Sequence, residues 1–175
     1  LNALTQVNDL CRRICAHRPE PEQIDAELKA ILARKPYPWF VRWADYVFIA
    51  LAFTVFFGGG WPEGLAAGAV GGLLFLAMEG LKKLCVGSVF PQLLGAAVIA
   101  ALTLLAARLV PELRTDKVVI GNIMLLIPGV ELTNGMRDLF SGDVLAGLLH
   151  IGEAVFLATI IALGAVFILS LGGMV

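Results

Sequence analysis

Five polar side chains crowd into one short part of an otherwise apolar stretch, IMLLIPGVELTNGMRDLFSGD (residues 123–143): Glu131, Thr133, Asn134, Arg137 and Asp138. On a helix, Glu131, Asn134 and Asp138 fall at i, i+3 and i+7 and share a face, while Thr133 and Arg137 share the adjacent one. Such a set offers recognition of a small polar solute rather than bond cleavage. Glu131 can take up a proton or hold a cation. Thr133 and Asn134 can hydrogen-bond an amine or a carboxylate, and the fork of Arg137 can pair a carboxylate bidentately. The competing reading is a kinked helix whose end reaches water, with Arg137 and Asp138 as a surface ion pair. Downstream, His150 and Glu153 lie one turn apart on one face. A histidine beside a carboxylate can relay protons; the alternative is a structural Glu153, neutralised by hydrogen bonding. With two histidines and no G-x-S-x-G, H-E-x-x-H or G-x-x-x-x-G-K-[ST], the chain shows no enzyme or nucleotide-driven signature. No cofactor and no metal site is expected.

The elements that must position these groups are set by lipid. The 175 residues are 59% hydrophobic and 15% charged, with a mean hydropathy of +0.87. Charged residues are well below the roughly 25% usual in soluble domains. The net charge of −1 speaks against a nucleic-acid partner. Cys11, Cys15 and Cys85 form no CxxC pair, and no disulfide framework is expected. The first residue is Leu and no signal peptide is visible, so an upstream segment is expected.

Residues 1–38 are polar. Leu4, Val7, Leu10 and Ile14 recur at helical spacing, Pro19 and Pro21 punctuate, and Ile24, Leu28, Ile31 and Leu32 mark a second amphipathic helix. A short cytoplasmic helical hairpin is expected there. Residues 39–175 read as an all-α, five-span membrane domain, since a span needs about 20 mostly apolar residues. The candidates are Val41–Gly60, Gly64–Leu81, Leu84–Leu109, Lys117–Phe140 and Val144–Gly172. The rival count of four makes the interrupted fourth segment a re-entrant loop. Ten basic residues (seven up to Arg42, then Lys82, Lys83 and Arg137) face three on the other side (Arg108, Arg114 and Lys117). That asymmetry puts the N-terminus in the cytoplasm. Gly64, Gly68 and Gly72 lie four apart on one helix face, which predicts close packing and offers a candidate seam for another membrane half. Asp45 and Glu79 sit near span ends and read as snorkelling groups.

The fourth span is broken by Pro128 and Gly129. About 11 residues from Lys117 cover roughly 16 Å at the helical rise, half of a hydrocarbon core about 30 Å thick. Proline removes a backbone donor and displaces the carbonyl four residues back. At that depth the freed groups are tolerated inside protein or beside a wet cavity. A discontinuous helix there points to a transporter's binding site. Asp143, after Ser141-Gly142 and before VLAGLL, reads as the N-cap of the fifth helix. Glu153, ten residues on, falls about 15 Å deeper if that helix starts at the interface.

The run LLIPGVELTNGMRDLFSGDVLAG resembles the threonine/serine exporter family, whose segment has the form P-G-x-x-L-T-N-x-x-R-D-L-x-x-G-D. Here it reads Pro128, Gly129, Leu132, Thr133, Asn134, Arg137, Asp138, Leu139, Gly142 and Asp143. LNALTQVNDLCRRI resembles the helix after the family's cytoplasmic domain, RKPYPWFVRW the approach to its first span, and FFGGGWPEG its first loop. The resemblance implies a bacterial inner-membrane exporter of threonine, serine or, in two-subunit relatives, a dicarboxylate. It also implies a second membrane half, fused or separate, and a cytoplasmic domain upstream. Glu131 lies outside the motif and rests on its position alone. The expectation is therefore half of a proton-driven secondary exporter, bound to a second half or to another copy of itself. The rival is a membrane scaffold or regulatory subunit that does not transport.

Overall fold

The computed structural model describes residues 2–17, 21–32, 37–84, 87 and 89–173. Among the described residues every regular element is a helix: α1 (Asn2–His17), α2 (Pro21–Leu32), α3 (Trp39–Phe56), α4 (Trp61–Leu84), α5 (Val89–Leu109), α6 (Thr115–Ile123), α7 (Gly129–Phe140) and α8 (Val144–Leu171). They fall into two compact units, Leu1–Pro38 and Trp39–Val175.

In the first unit α1 and α2 pack together through the stripes read from sequence. Leu10 is buried, and Val7, Ile14, Ile24, Leu28 and Ile31 are half-buried. Arg13 donates to both carboxylate oxygens of Glu27, at 3.3 and 2.7 Å, and Lys29 pairs with Asp25 one turn away at 2.6 Å. Both pairs are exposed and contribute about 1 kcal/mol at most; the apolar stripes hold the helices. Pro19 of the expected turn, and Arg34, Lys35 and Cys85 elsewhere, lie outside the described residues.

The second unit is a multi-pass membrane domain. Four of its helices are long and apolar enough to cross a bilayer: Trp39–Phe56, Trp61–Leu81, Val89–Leu109 and Val144–Leu171. Their outward side chains, such as Phe48, Leu76, Leu105 and Leu163, are exposed, as lipid-facing residues must be. α3 stops where Gly58 turns left-handed (φ 85°), and the N–H groups of Phe57, Gly58 and Gly59 bond back to Phe53, Val55 and Thr54. After a connection of four residues α4 returns antiparallel. Pro62 occupies its first turn, and the Glu63 carboxylate accepts the Gly60 N–H at 2.8 Å.

The glycine face of α4 is already filled. A Cβ on Gly68 would lie 3.3 Å from Val47 Cγ1, and one on Gly72 3.2 Å from Val47 Cγ2. On the neighbouring Gly71 it would lie 2.8 Å from Ala50 Cβ and 2.9 Å from the Tyr46 carbonyl. The face expected to offer a seam to another membrane half seats α3 instead, because so short a connection brings α3 back as its nearest neighbour. Glu79, read as snorkelling, is held by Arg42 at 2.6 Å, and that guanidinium lies 5.4 Å from the centre of the Phe75 ring.

The broken segment divides into α6 and α7, nine and twelve residues long. After Ile123 the hydrogen bonds tighten: Leu125 to Asn122, Leu126 to Ile123, then Gly129 to Ile127. The α-helical pattern resumes with the Leu132 N–H on the Pro128 carbonyl at 3.2 Å. The expected interruption is thus a complete one. Counted as one element, α6 and α7 would supply a fifth crossing.

α8 runs parallel to α5. A Cβ on Gly164 would lie 2.5 Å from the Leu93 carbonyl, and one on Gly172 2.7 Å from Leu104 Cδ1. Both contacts fall on the second half of α8, which leaves its first half to other neighbours. α7 packs along that first half.

Candidate functional site

The two halves of the broken segment have opposite surroundings. α6 packs against α3, α4 and α5. Its Val118, Val119, Gly121 and Asn122 are buried. Gly121 presses on Thr54 so closely that a Cβ would overlap the threonine hydroxyl and stand 2.8 Å from its backbone nitrogen. Asn122 is fully buried; its amide donates to the Val118 carbonyl at 3.0 Å and to the Ala67 carbonyl of α4 at 3.3 Å. The second bond fixes α6 to α4 by a polar contact in an apolar interior. Leu126, in the turn, joins the core formed by Leu74, Met78, Ala96, Ile99, Ile161 and Ala165.

α7 packs against α8, through Gly135 and Gly147. A Cβ on Gly135 would lie 3.0 Å from the Gly147 carbonyl and 2.8 Å from Ile151 Cγ1. That contact sets the rotation of α7 and so where each polar residue points. Glu131, Asn134 and Asp138 are half-buried along the flank of the α7–α8 seam, whereas Thr133 and Arg137 are exposed on the adjacent face. The two faces read from the spacing are thus distinct in the structure. Thr133 Oγ1 donates back to the Gly129 carbonyl at 2.7 Å. No side chain caps the start of α7 at Pro128, so first-turn N–H groups of Val130 and Glu131 are free to meet an anion. The start of α7 borders open space: a Cβ on Gly129 would meet nothing within 4 Å.

Asp138 turns to α8, where His150 Nε2 lies 3.7 Å from its Oδ2. Among the described residues Arg137 makes no ion pair, so the surface pair considered between Arg137 and Asp138 does not form. Glu153, one turn beyond His150, is exposed. Asp143 caps α8, its Oδ1 accepting the Ala146 N–H at 3.3 Å, while Gly142 turns left-handed (φ 87°) to close the α7–α8 connection.

The family model describing threonine/serine exporters matches residues 1–172. The chain belongs to the threonine/serine exporter family. It is also similar to a "Probable threonine/serine exporter" of Mycobacterium tuberculosis (strain ATCC 25618 / H37Rv), 27% identical over 162 residues. That match covers 92% of this chain and 30% of the relative, so the chain spans about a third of the length of that exporter. No solved structure matches the chain.

Among the described residues, four buried polar or charged side chains lie outside residues 128–143. Besides Asn122, they are Thr54, Thr103 and Glu63. Glu63 ties two loops together, accepting the Gly60 N–H and, at 3.4 Å, the Arg114 N–H ahead of α6, while Arg114 reaches the Gly58 carbonyl. The Oγ1 atoms of Thr54 and Thr103 and Asn122 Oδ1 have no protein partner. Lone polar residues in apolar runs are the signal sequence reasoning could have used for Thr54, Thr103 and Asn122.

Proposed function

We propose that this chain is one half of a secondary exporter for threonine, serine or a chemically similar small polar metabolite, and that the solute binds at the Pro128–Gly129 break. The observation that carries the reading is the uncapped start of α7 behind a complete helix break. Helix dipoles place partial positive charge at the start of α7 and partial negative charge at the end of α6. A zwitterionic amino acid suits that pair: its carboxylate towards the α7 N–H groups and Arg137, its ammonium towards the α6 carbonyls and Glu131. Asn134 and Thr133 would read the side-chain hydroxyl. A dicarboxylate would place a second negative charge beside the α6 carbonyls and fits less well.

In this reading the chain crosses the bacterial inner membrane five times with its N-terminus in the cytoplasm, and proton-motive force drives export. Glu153, His150 and, through its contact with His150, Asp138 are the proton-coupling candidates. Charged and polar groups at membrane depth must be covered, since even the lenient scale puts one such charge at about 2.5 to 3.5 kcal/mol. α7 and the outer face of α8 carry Glu131, Arg137 and Glu153 without a covering helix. A second membrane half or another copy of this chain supplies that cover. Reconstituting the chain in vesicles alone, then with a second half, against a panel of amino acids and dicarboxylates tests the reading. Threonine or serine export only with the second half is expected; no transport in either arrangement would favour the scaffold role. Glu153→Gln is expected to abolish export driven by an imposed pH gradient while leaving exchange down the solute's own gradient.

A further inference from the structure

α7 and the first half of α8 are bound tightly to each other and meet the rest of the bundle at two narrow places. Between the two helices the backbones nearly touch. A Cβ on Gly147 would lie 2.9 Å from the Gly135 carbonyl and 2.7 Å from Leu139 Cγ, and Ile151 closes over Gly135. Asp138 and His150 add a polar contact at 3.7 Å. Close-packed interiors do not deform continuously, so the pair shifts as a unit or not at all.

The attachment of α8 to the bundle lies elsewhere along its length. Ile161 and Ala165 enter the core with Ala96 and Ile99, and Gly164 and Gly172 pack on Leu93 and Leu104 of α5. Between the last α8 residue seen against Gly135, Ile151, and this anchored half stands Gly152, where a Cβ would meet nothing within 4 Å. A glycine in an exposed helix interior, with no neighbour demanding it, adds backbone freedom at that point. The other crossing is the break. There the hydrogen bonds are local turns, and Gly129 borders open space on one side while Leu126 is fixed in the core on the other. Ala154 and Leu157 are buried again just beyond Gly152, so the weakly held points are exposed Gly152 itself and the locally bonded turn at the break.

We infer that α7 and Val144–Ile151 form one rigid arm that swings on hinges at Ile127–Gly129 and Gly152, carrying Glu131, Asn134 and Arg137 past the fixed end of α6. The use of that motion in export rests on the site reading above; the motion itself does not. An arm of this kind would alternately expose and cover the break without disturbing the packed α3–α6 body.

Spin-label distances in the full chain, held in lipid nanodiscs with Cys11, Cys15 and Cys85 replaced by serine, test the arm without any solute. The pair Met136→Cys with Leu148→Cys, both exposed, lies within the arm; Leu145→Cys with Leu105→Cys joins arm to body. The within-arm pair should give one narrow distance and the arm-to-body pair two populations. Gly152→Ala, sterically free, should lower the minor arm-to-body population about fivefold by stiffening the hinge. A single narrow arm-to-body distance, a within-arm distribution as broad as the arm-to-body one, or populations unchanged by Gly152→Ala would each overturn the two-hinge arm. An arm that moves in a chain whose assembly exports nothing would count against the site reading and leave the arm standing.

Discussion

α6 and α7 are consecutive helices of similar length, cut from one hydrophobic segment, and they are built for opposite purposes. α6 is enclosed by α3, α4 and α5, with Gly121 pressed onto Thr54 and Asn122 bonded to the Ala67 carbonyl. α7 has α8 along one side and carries its polar residues on the flank and on the open face. In α6 a polar group is buried to fix position, where an unpaired group would cost about 1 to 3 kcal/mol. In α7 the polar groups lie outside the packed core and are available for a ligand or a covering helix. The same residue type, asparagine, therefore means position at 122 and recognition at 134.

The contrast is broken most severely at Gly121. Gly121→Leu puts a side chain onto Thr54 and its backbone nitrogen, and overpacking of that kind should cost about 3 kcal/mol or more. The expected result is a collapse of the melting midpoint in detergent. Gly129→Leu, in open space, should stay within about 1 kcal/mol of the parent. Asn122→Ala removes both amide bonds and should cost about 2 kcal/mol. Its counterpart Thr133→Val, which deletes an exposed back-bond to Gly129, should stay within about 0.5 kcal/mol. The smallest effect sharpens the comparison at the far end of α7: Asp143→Ala removes the α8 cap and should cost about 1 kcal/mol. Equal losses at Gly121 and Gly129, or at Asn122 and Thr133, would erase the distinction between the two halves.

Much of this organisation is legible locally. Hydropathy marks the long helices, Pro128-Gly129 marks the break, and Asp143 behind Ser141-Gly142 marks the cap that the structure shows. The spacing of Gly64, Gly68 and Gly72 announces a close approach but not its occupant, since α3 is specified by chain connectivity rather than by that face. The contacts that fix α6 were not legible. Thr54 and Gly121 are far apart in sequence, and neither spacing nor type links them. The Gly135–Gly147 seam is not legible because neither glycine has another glycine four residues away on its own helix. Helical spacing pairs His150 with Glu153; the contact that the structure shows for His150 is with Asp138, from across the α7–α8 seam.

The central claim, that α7 holds the solute while α6 holds the fold, is tested most directly by export from vesicles containing the transporting assembly, with Asn134→Ala and Arg137→Ala compared with the parent at equal protein content. Both residues lie outside the packed core, so melting midpoints should change by less than about 0.5 kcal/mol equivalent. The account predicts that threonine and serine export falls at least about tenfold in each: Arg137→Ala loses a charge-assisted hydrogen bond to the solute, and Asn134→Ala leaves the solute hydroxyl without its partner. Parent-like export by both variants, with the protein intact in the membrane, would contradict it.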